Sequence, residues 1–196
     1  MLNRYISRKE HIVLTAIEII DEHGLQGFSI RELAKRENVS EASLYRHFKS
    51  KQHILLAVLD HFSYYDEMIS ETLNKKEIST IERLRFFFES YSEYYQSYPA
   101  ITSILANFYV NCDEELDNKI KIILNKRRRT LFSIVKKGQG NGEINKEINP
   151  DVLVDIFDCV FQGLIIKWRM SDFEFSLKDR MLLTLSTLID NNMIKL

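Results

Sequence analysis

The chain has 196 residues, enough for a sizeable core in one or two domains. Two prolines and six glycines leave it almost wholly helical in character, and two cysteines, Cys112 and Cys159, make no disulfide framework. A net charge of −1 excludes a non-specific coat for nucleic acid, but not a local basic footprint on a neutral body.

Residues 1–53 hold nine Lys/Arg against seven Asp/Glu, and within 31–51 the count is six to three. The footprint therefore lies near the N-terminus. No stretch approaches the roughly 18 apolar residues of a membrane span, and residues 1–30 show no signal-peptide pattern. A reducing cytoplasm is the expected location, with no membrane partner. The histidines at 11, 23, 47, 53 and 61 contain no i,i+4 pair, so neither a metal nor a cofactor is expected.

Residues 1–8 read as a loose arm carrying Arg4 and Arg8, either touching phosphate or minor groove or simply frayed. A first helix follows near residues 9–23, with Ile12, Val13, Ala16, Ile17 and Ile20 as its buried stripe and Gly24 as its stop. Phe28 completes the small core. Ser29 and Glu32 have capping-box spacing, and Ile30, Leu33 and Ala34 supply the inward face of a second helix. Asn38 tolerates the left-handed backbone of a tight turn, and Ser40 is a good N-cap for a third helix. There Leu44 and Phe48 point inward, leaving Glu41, Ala42, Ser43, Arg46 and His47 outward. Two helices at a steep angle, one presenting small polar and cationic side chains, fit a major groove.

At these residues a resemblance becomes specific. The run Leu44-Tyr45-Arg46-His47-Phe48-Lys49-Ser50-Lys51 looks like the L-Y-x-H/Y-F-x-S-K signature of TetR-family transcriptional repressors. The similarity reaches upstream through Ile12, Ala16, Ile20 and Gly24, covering about residues 9–56. One departure is Asn38, where the family has glycine; asparagine reaches the same backbone. The resemblance implies an all-α bacterial protein with a three-helix helix-turn-helix domain at 1–53 and a helical ligand-binding and dimerisation domain at 54–196. A long helix at 51–73, capped by Ser50, links them. It also implies a homodimer on pseudo-palindromic double-stranded operator DNA. Ser29, Arg31, Ser40, Ala42, Ser43, Tyr45, Arg46, His47 and Lys51 become the DNA-contacting set. Tyr45 and Lys51 match the family's phosphate contacts, and Ser43, Arg46 and His47 lie nearest base edges.

In the linking helix Ile54, Leu55, Val58, Leu59, Phe62, Ile69 and Leu73 keep helical periodicity. Residues 74–79 form a polar joint, and residues 80–98 a strongly aromatic helix that Pro99 ends. Nine of the 22 aromatics fall in residues 86–109. They can be plain core. Yet buried tyrosine hydroxyls need partners, and a ligand cavity would supply them. Such a pocket would be walled by Phe87, Tyr91, Tyr94, Tyr95, Phe108 and Tyr109, with Phe132, Phe157 and Phe161 facing them. It would take a small apolar inducer, ring-containing or acyl. Arg127 lies on the inward stripe of the next helix, residues 113–137 with Asp113 as its cap. It either meets an acidic ligand, snorkels to the rim or pairs with a neighbouring carboxylate; Arg128 and Arg129 read as solvated.

Residues 138–143, glycine-rich, read as a break between helices. Pro150 starts a helix to residue 170 that is apolar on most sides, and residues 177–193 repeat the pattern. Two such helices read as half of a four-helix dimer interface, with Val160, Gly163, Leu164, Met181, Leu185 and Leu188 as its contacts. No nucleophile elbow, phosphate loop or paired catalytic carboxylates accompany them, so no enzyme is expected. The rival to an inducible regulator is a DNA-bound factor that recruits another protein and ignores small molecules.

Overall fold

The computed structural model describes residues 7–75, 77–107 and 114–190. Among them are nine helices and no strand: α1 (Arg8–Gly27), α2 (Ile30–Arg36), α3 (Glu41–Tyr45), α4 (Lys51–Lys75), α5 (Thr80–Ser97), α6 (Ala100–Asn107), α7 (Glu114–Asn141), α8 (Pro150–Met170) and α9 (Leu177–Asp190). They pack as two compact units, Met1–Tyr65 with Tyr98–Ile123, and Asp66–Ser97 with Leu124–Leu196.

In the first unit α1 lies against α2 and α6, and α2 against α3. The expected stripe of α1 is buried, together with Ile19, and it closes over Phe28, Leu33, Leu44 and Phe48. Each such side chain contributes roughly 1.5–3 kcal/mol on leaving water. Helix α1 starts one turn earlier than its apolar stripe. Ser7 accepts from the Glu10 N–H at 3.1 Å while the Glu10 carboxylate reaches back to the Ser7 N–H, a closed capping box. Arg8 therefore belongs to a helix rather than to an arm; Arg4 lies outside the described residues. Gly24 takes φ +67°, which interrupts α1 where the stop was expected, although helical turns resume up to Gly27. The backbone N–H of Ala100 at the start of α6 donates to the Asp21 carboxylate.

In the second unit α9 packs against α5 and α8. The core of this unit is apolar side chains of α5, α7 and α8: Leu84, Phe87, Phe88, Leu131, Val135, Leu153, Phe157 and Phe161 are all buried. Asn149 caps α8 by accepting from the N–H groups of Asp151 and Val152, with Pro150 at its first turn.

The glycine-rich break falls elsewhere than expected. Helix α7 runs through Gly138 and Gly140 and ends at Asn141, with Gly142 left-handed at φ +79°. Gly138 is there for close approach: a Cβ would stand 2.6 Å from Thr80 Cγ2 and 2.9 Å from Ile144 Cδ1. The buried Gln139 amide donates to the Asn145 and Ile148 carbonyls, at 3.0 and 2.7 Å, and so pins the following loop. Arg128 also differs from its solvated reading, because it bridges α7 to Asp151 and Asp155 of α8 at 2.9 and 2.7 Å.

Candidate functional site

The helix-turn-helix is built by short-range chemistry. The Ser29 hydroxyl accepts from the Glu32 N–H at 3.1 Å and starts α2. The reciprocal half of that box is replaced, since the Glu32 carboxylate takes Arg36 Nε at 3.3 Å. Arg36 continues to Glu22 on α1, fastening α2 to it. Asn38 adopts φ +53°, the left-handed turn that its amide allows. Ser40 then caps α3 by accepting from the Ser43 N–H at 3.2 Å.

Helix α3 is only five residues long, but Phe48 N–H still bonds the Leu44 carbonyl at 3.0 Å. That bond keeps the Leu44 and Phe48 side chains in the core, and the opposite face is left to solvent. Ser29, Arg31, Ser40, Ala42, Arg46 and His47 are exposed, Ser43 is half-buried, and Tyr45 is 49% exposed. Arg46 Nη2 donates to Ser43 Oγ at 2.9 Å, which holds the guanidinium across this face. Lys51 differs from the free cation expected of a phosphate contact. Its ammonium donates to the Phe28 carbonyl at 2.6 Å and lies 5.3 Å from the Phe28 ring centre, and burial lowers its pKa. Its remaining N–H groups are what it can offer a phosphate.

Beneath the turn sits a cluster that the sequence reading passed over. Glu37, buried, pairs with Arg8 at 2.7 Å and His11 Nδ1 at 2.9 Å, and accepts from the Thr15 hydroxyl. Residues 8, 11 and 15 share one face of α1, so one carboxylate ties that helix to the C-terminus of α2. A signal was present: a glutamate at a helix C-terminus opposes the dipole and so calls for a cationic partner. Burial pushes the Glu37 carboxyl up, but the Thr15 and His11 hydrogen bonds and the Arg8 charge outweigh it and leave it below the usual range. A carboxyl lowered by folding stabilises fully above the unfolded glutamate value, about 4.3, and the gain disappears as pH falls through the folded value. Glu37→Gln is expected to cost about 1–3 kcal/mol near pH 7. Melting curves should show that deficit shrinking towards pH 3; a constant difference would place the stabilisation elsewhere.

In the second unit Phe87, Tyr91, Tyr94, Tyr95, Phe157 and Phe161 come together and all are buried, while Phe132 is half-buried. Phe108 and Tyr109 lie outside the described residues. Tyr95 stacks on Phe161 at 5.7 Å with an interplanar angle of 6°. Phe88, absent from the expected wall, fills the centre between Phe157 and Phe161, 5.6 Å from each. Arg127 does point inward, and it meets a carboxylate there. Its Nε and Nη2 donate to the two oxygens of buried Asp66 at 2.6 and 3.2 Å. Its Nη1 donates to the Tyr95 hydroxyl, and its guanidinium carbon lies 4.7 Å from the Tyr91 ring centre.

The Tyr91 ring lies against the same ion pair. Burial first, and then the Asp66 charge, raise the phenol of Tyr91 well above its ordinary value against the opposing pull of Arg127. The Tyr95 hydroxyl therefore finds its partner inside the chain, without a ligand.

The presumed dimer contacts fall on two different faces. Met181 is 0% and Leu185 3% exposed, so both belong to the chain's own core and offer no surface. Val160, Gly163, Leu164 and Leu188 are half-buried. The open apolar face runs instead through Val152, Ile156, Cys159, Gly163, Ile166 (57% exposed) and Met170 (81%), joined on α9 by exposed Leu183. The α8 steps of 4, 3, 4, 3 and 4 residues average 3.6, the helical repeat, so these residues form one continuous seam along the helix. Space around Gly163 is open.

Among the described residues no cluster of His, Cys, Asp or Glu could hold a metal, and no helix is long and apolar enough to cross a membrane.

Comparison with known proteins agrees with this geometry. Residues 12–58 match the family of bacterial regulatory proteins, tetR family. The HTH-type transcriptional repressor DhaR of Mycobacterium sp. (strain GP1) is 24% identical over 166 residues, covering 83% of this chain and 82% of DhaR. The nucleoid occlusion factor SlmA of Vibrio cholerae is 23% identical over 178 residues, covering 88% of this chain and 89% of SlmA. In fold, the chain is similar to the transcriptional regulator FadR from Bacillus subtilis in complex with stearoyl-CoA. The TM-score is 0.75 at 21% identity, over 91% of this chain and 97% of FadR. Residues 12–58 are thus a tetR-family segment, and the chain around it has the fold of the transcriptional regulators that it is similar to.

Proposed function

We propose that the protein is a cytoplasmic, homodimeric repressor that binds a pseudo-palindromic operator and is released by a small apolar molecule. The observation that carries this reading is the solvent face of α3, where Tyr45, Arg46 and His47 stand exposed behind the left-handed turn at Asn38. Residues 1–53 act as the reading head, and residues 54–196 take the ligand and hold the dimer. In the head, phosphate contacts from Tyr45 and Lys51 set position, while Ser43, Arg46 and His47 read base edges. Ser29, Arg31, Ser40 and Ala42 border that face.

The inducer is a largely apolar ring-containing or acyl compound. It enters among Phe87, Tyr91, Tyr94, Tyr95, Phe157 and Phe161. FadR's complex with stearoyl-CoA is a precedent for an acyl ligand on this fold. Because Asp66 already neutralises Arg127, that arginine adds no preference for an anion. Release of DNA requires the ligand to favour one spacing of the reading heads, and tenfold tighter binding to that state supplies about 1.4 kcal/mol.

A second reading, a DNA-bound factor that recruits a protein partner, is favoured by the ring-on-ring packing of this core. Native mass spectrometry of the purified protein separates the two: a co-purified small molecule supports the inducer, and bare protein that stays operator-bound with every apolar ligand tried supports recruitment.

Two substitutions test the reader. Arg46→Ala is expected to relax preference at one base pair per half-site, costing about 1–3 kcal/mol there. Lys51→Ala should weaken all sequences alike and reduce the salt slope by about 0.9 per half-site. The Lys51 change also removes the Phe28 carbonyl's partner, so thermal melting of the variant belongs beside the binding curve. Operator binding indifferent to both changes would sink α3 as the reader.

A further inference from the structure

A polar hollow exists in the unit that contains the aromatic core, and its walls share no residue with that core. It holds about 300 Å³, the low end of ligand-site volumes. Its walls are the last turns of α4, Arg83 of α5 and one face of α7. Spacings of 4, 3 and 4 put Lys126, Thr130, Ser133 and Lys137 on that α7 face, with Arg129 on its flank. No aspartate or glutamate lines the hollow.

The cations differ in what already occupies them. Arg83 is buried and structural: its guanidinium donates to the Leu73 and Ile78 carbonyls and so caps α4, and Glu143 is near enough to feel its charge. Lys126 leans to Glu67, outside the hollow, at 3.2 Å. Arg129 and Lys137 are exposed and have no carboxylate partner among the described residues. Cations converging on one concavity repel each other, and a bound anion turns that repulsion into attraction.

We propose that this hollow binds a small organic phosphate. Lysine ammonium groups serve as point charges for phosphate, and Arg129 adds a fork of donors. Ser70 and Ser133 supply hydroxyls, the Thr130 hydroxyl being donated to the Lys126 carbonyl at 3.1 Å, and Leu73 and Ile134 supply apolar contact for the organic part. The site is separate from the inducer core of the proposed function and does not depend on it.

Isothermal titration at fixed ionic strength tests the proposal, with phenyl phosphate as the organic probe and orthophosphate as the bare ion. Phenyl phosphate should bind saturably, once per chain, and more tightly than orthophosphate. In Arg129→Gln/Lys137→Gln its affinity should fall by about tenfold or more, the loss expected for charge-assisted hydrogen bonds. Both residues are exposed, so the melting curve of the variant should match that of the parent. Unchanged affinity in the variant would overturn the proposal by placing the anion elsewhere, the reading head included. Heat that sodium chloride reproduces at equal ionic strength would overturn it as well. So would orthophosphate binding as tightly as phenyl phosphate, which marks an adventitious ion only.

Discussion

Asp66→Ala is expected to destabilise the second unit by about 3–5 kcal/mol, because it leaves the Arg127 guanidinium buried with no counter-charge. The pair is expensive to break without being a large net source of stability. Both groups lost their hydration on burial, and the fork between them, with the Tyr95 hydroxyl and the Tyr91 ring, roughly replaces it. Asp66→Asn keeps an acceptor for one guanidinium N–H but not the charge, so it should fall between the parent and alanine. The double change Asp66→Leu/Arg127→Met should recover much of the loss, since it removes both charges and refills the space with apolar atoms. Trp168, the chain's one tryptophan, is buried in the same unit, and its fluorescence during urea unfolding reports each variant. A loss under about 1 kcal/mol for Asp66→Ala would show that water compensates the arginine, and that the core is more open than its ring contacts indicate.

The reading head was legible because its chemistry is local. Ser29 and Ser40 accept from backbone N–H groups within a few residues of themselves, and Asn38 adopts the left-handed backbone of the turn itself. Ser7 and Glu10 carry the same spacing as Ser29 and Glu32, and there the box closes on both sides; that signal was available and the apolar stripe of α1 obscured it. Glu37 and Arg127 belong to a different class. Their partners lie 26 and 61 residues away, at His11 and Asp66, and no periodicity links such positions.

Buried tyrosines did call for polar partners. The sequence could not distinguish a ligand or water from an aspartate on α4 and an arginine on α7. Gly138 misled for a similar reason: its role is set by Thr80, 58 positions away in the chain, so a turn residue and a close-packing residue look alike. On α8 and α9 periodicity identified apolar faces. It did not say which of two such faces meets the chain's own core, and Met181 and Leu185 turned out to be inside.

That last distinction yields the clearest expected difference between two variants of similar chemistry. Ile166 stands exposed on the α8 seam, and the proposed homodimer buries it against a second copy. A glutamate there leaves the folded protomer intact, because it points into solvent in the isolated chain. In a two-fold dimer the same change enters the interface twice, and each unpaired charge in an apolar contact costs several kcal/mol. Ile166→Glu is therefore expected to sediment as a folded monomer with unchanged helix content. Gly163→Glu, on the same seam with open space around it, should behave alike. Met181→Glu forces its charge into the protomer's core and should unfold the second unit instead. Operator affinity of the Ile166→Glu monomer should fall about a hundredfold or more, since two linked half-sites gain that much from effective concentration alone. Single half-site binding, measured on a truncated duplex, should stay near the parent value, because α3 and its face are untouched. An Ile166→Glu protein that remains a dimer at micromolar concentration would move the interface off this seam and take the operator prediction with it.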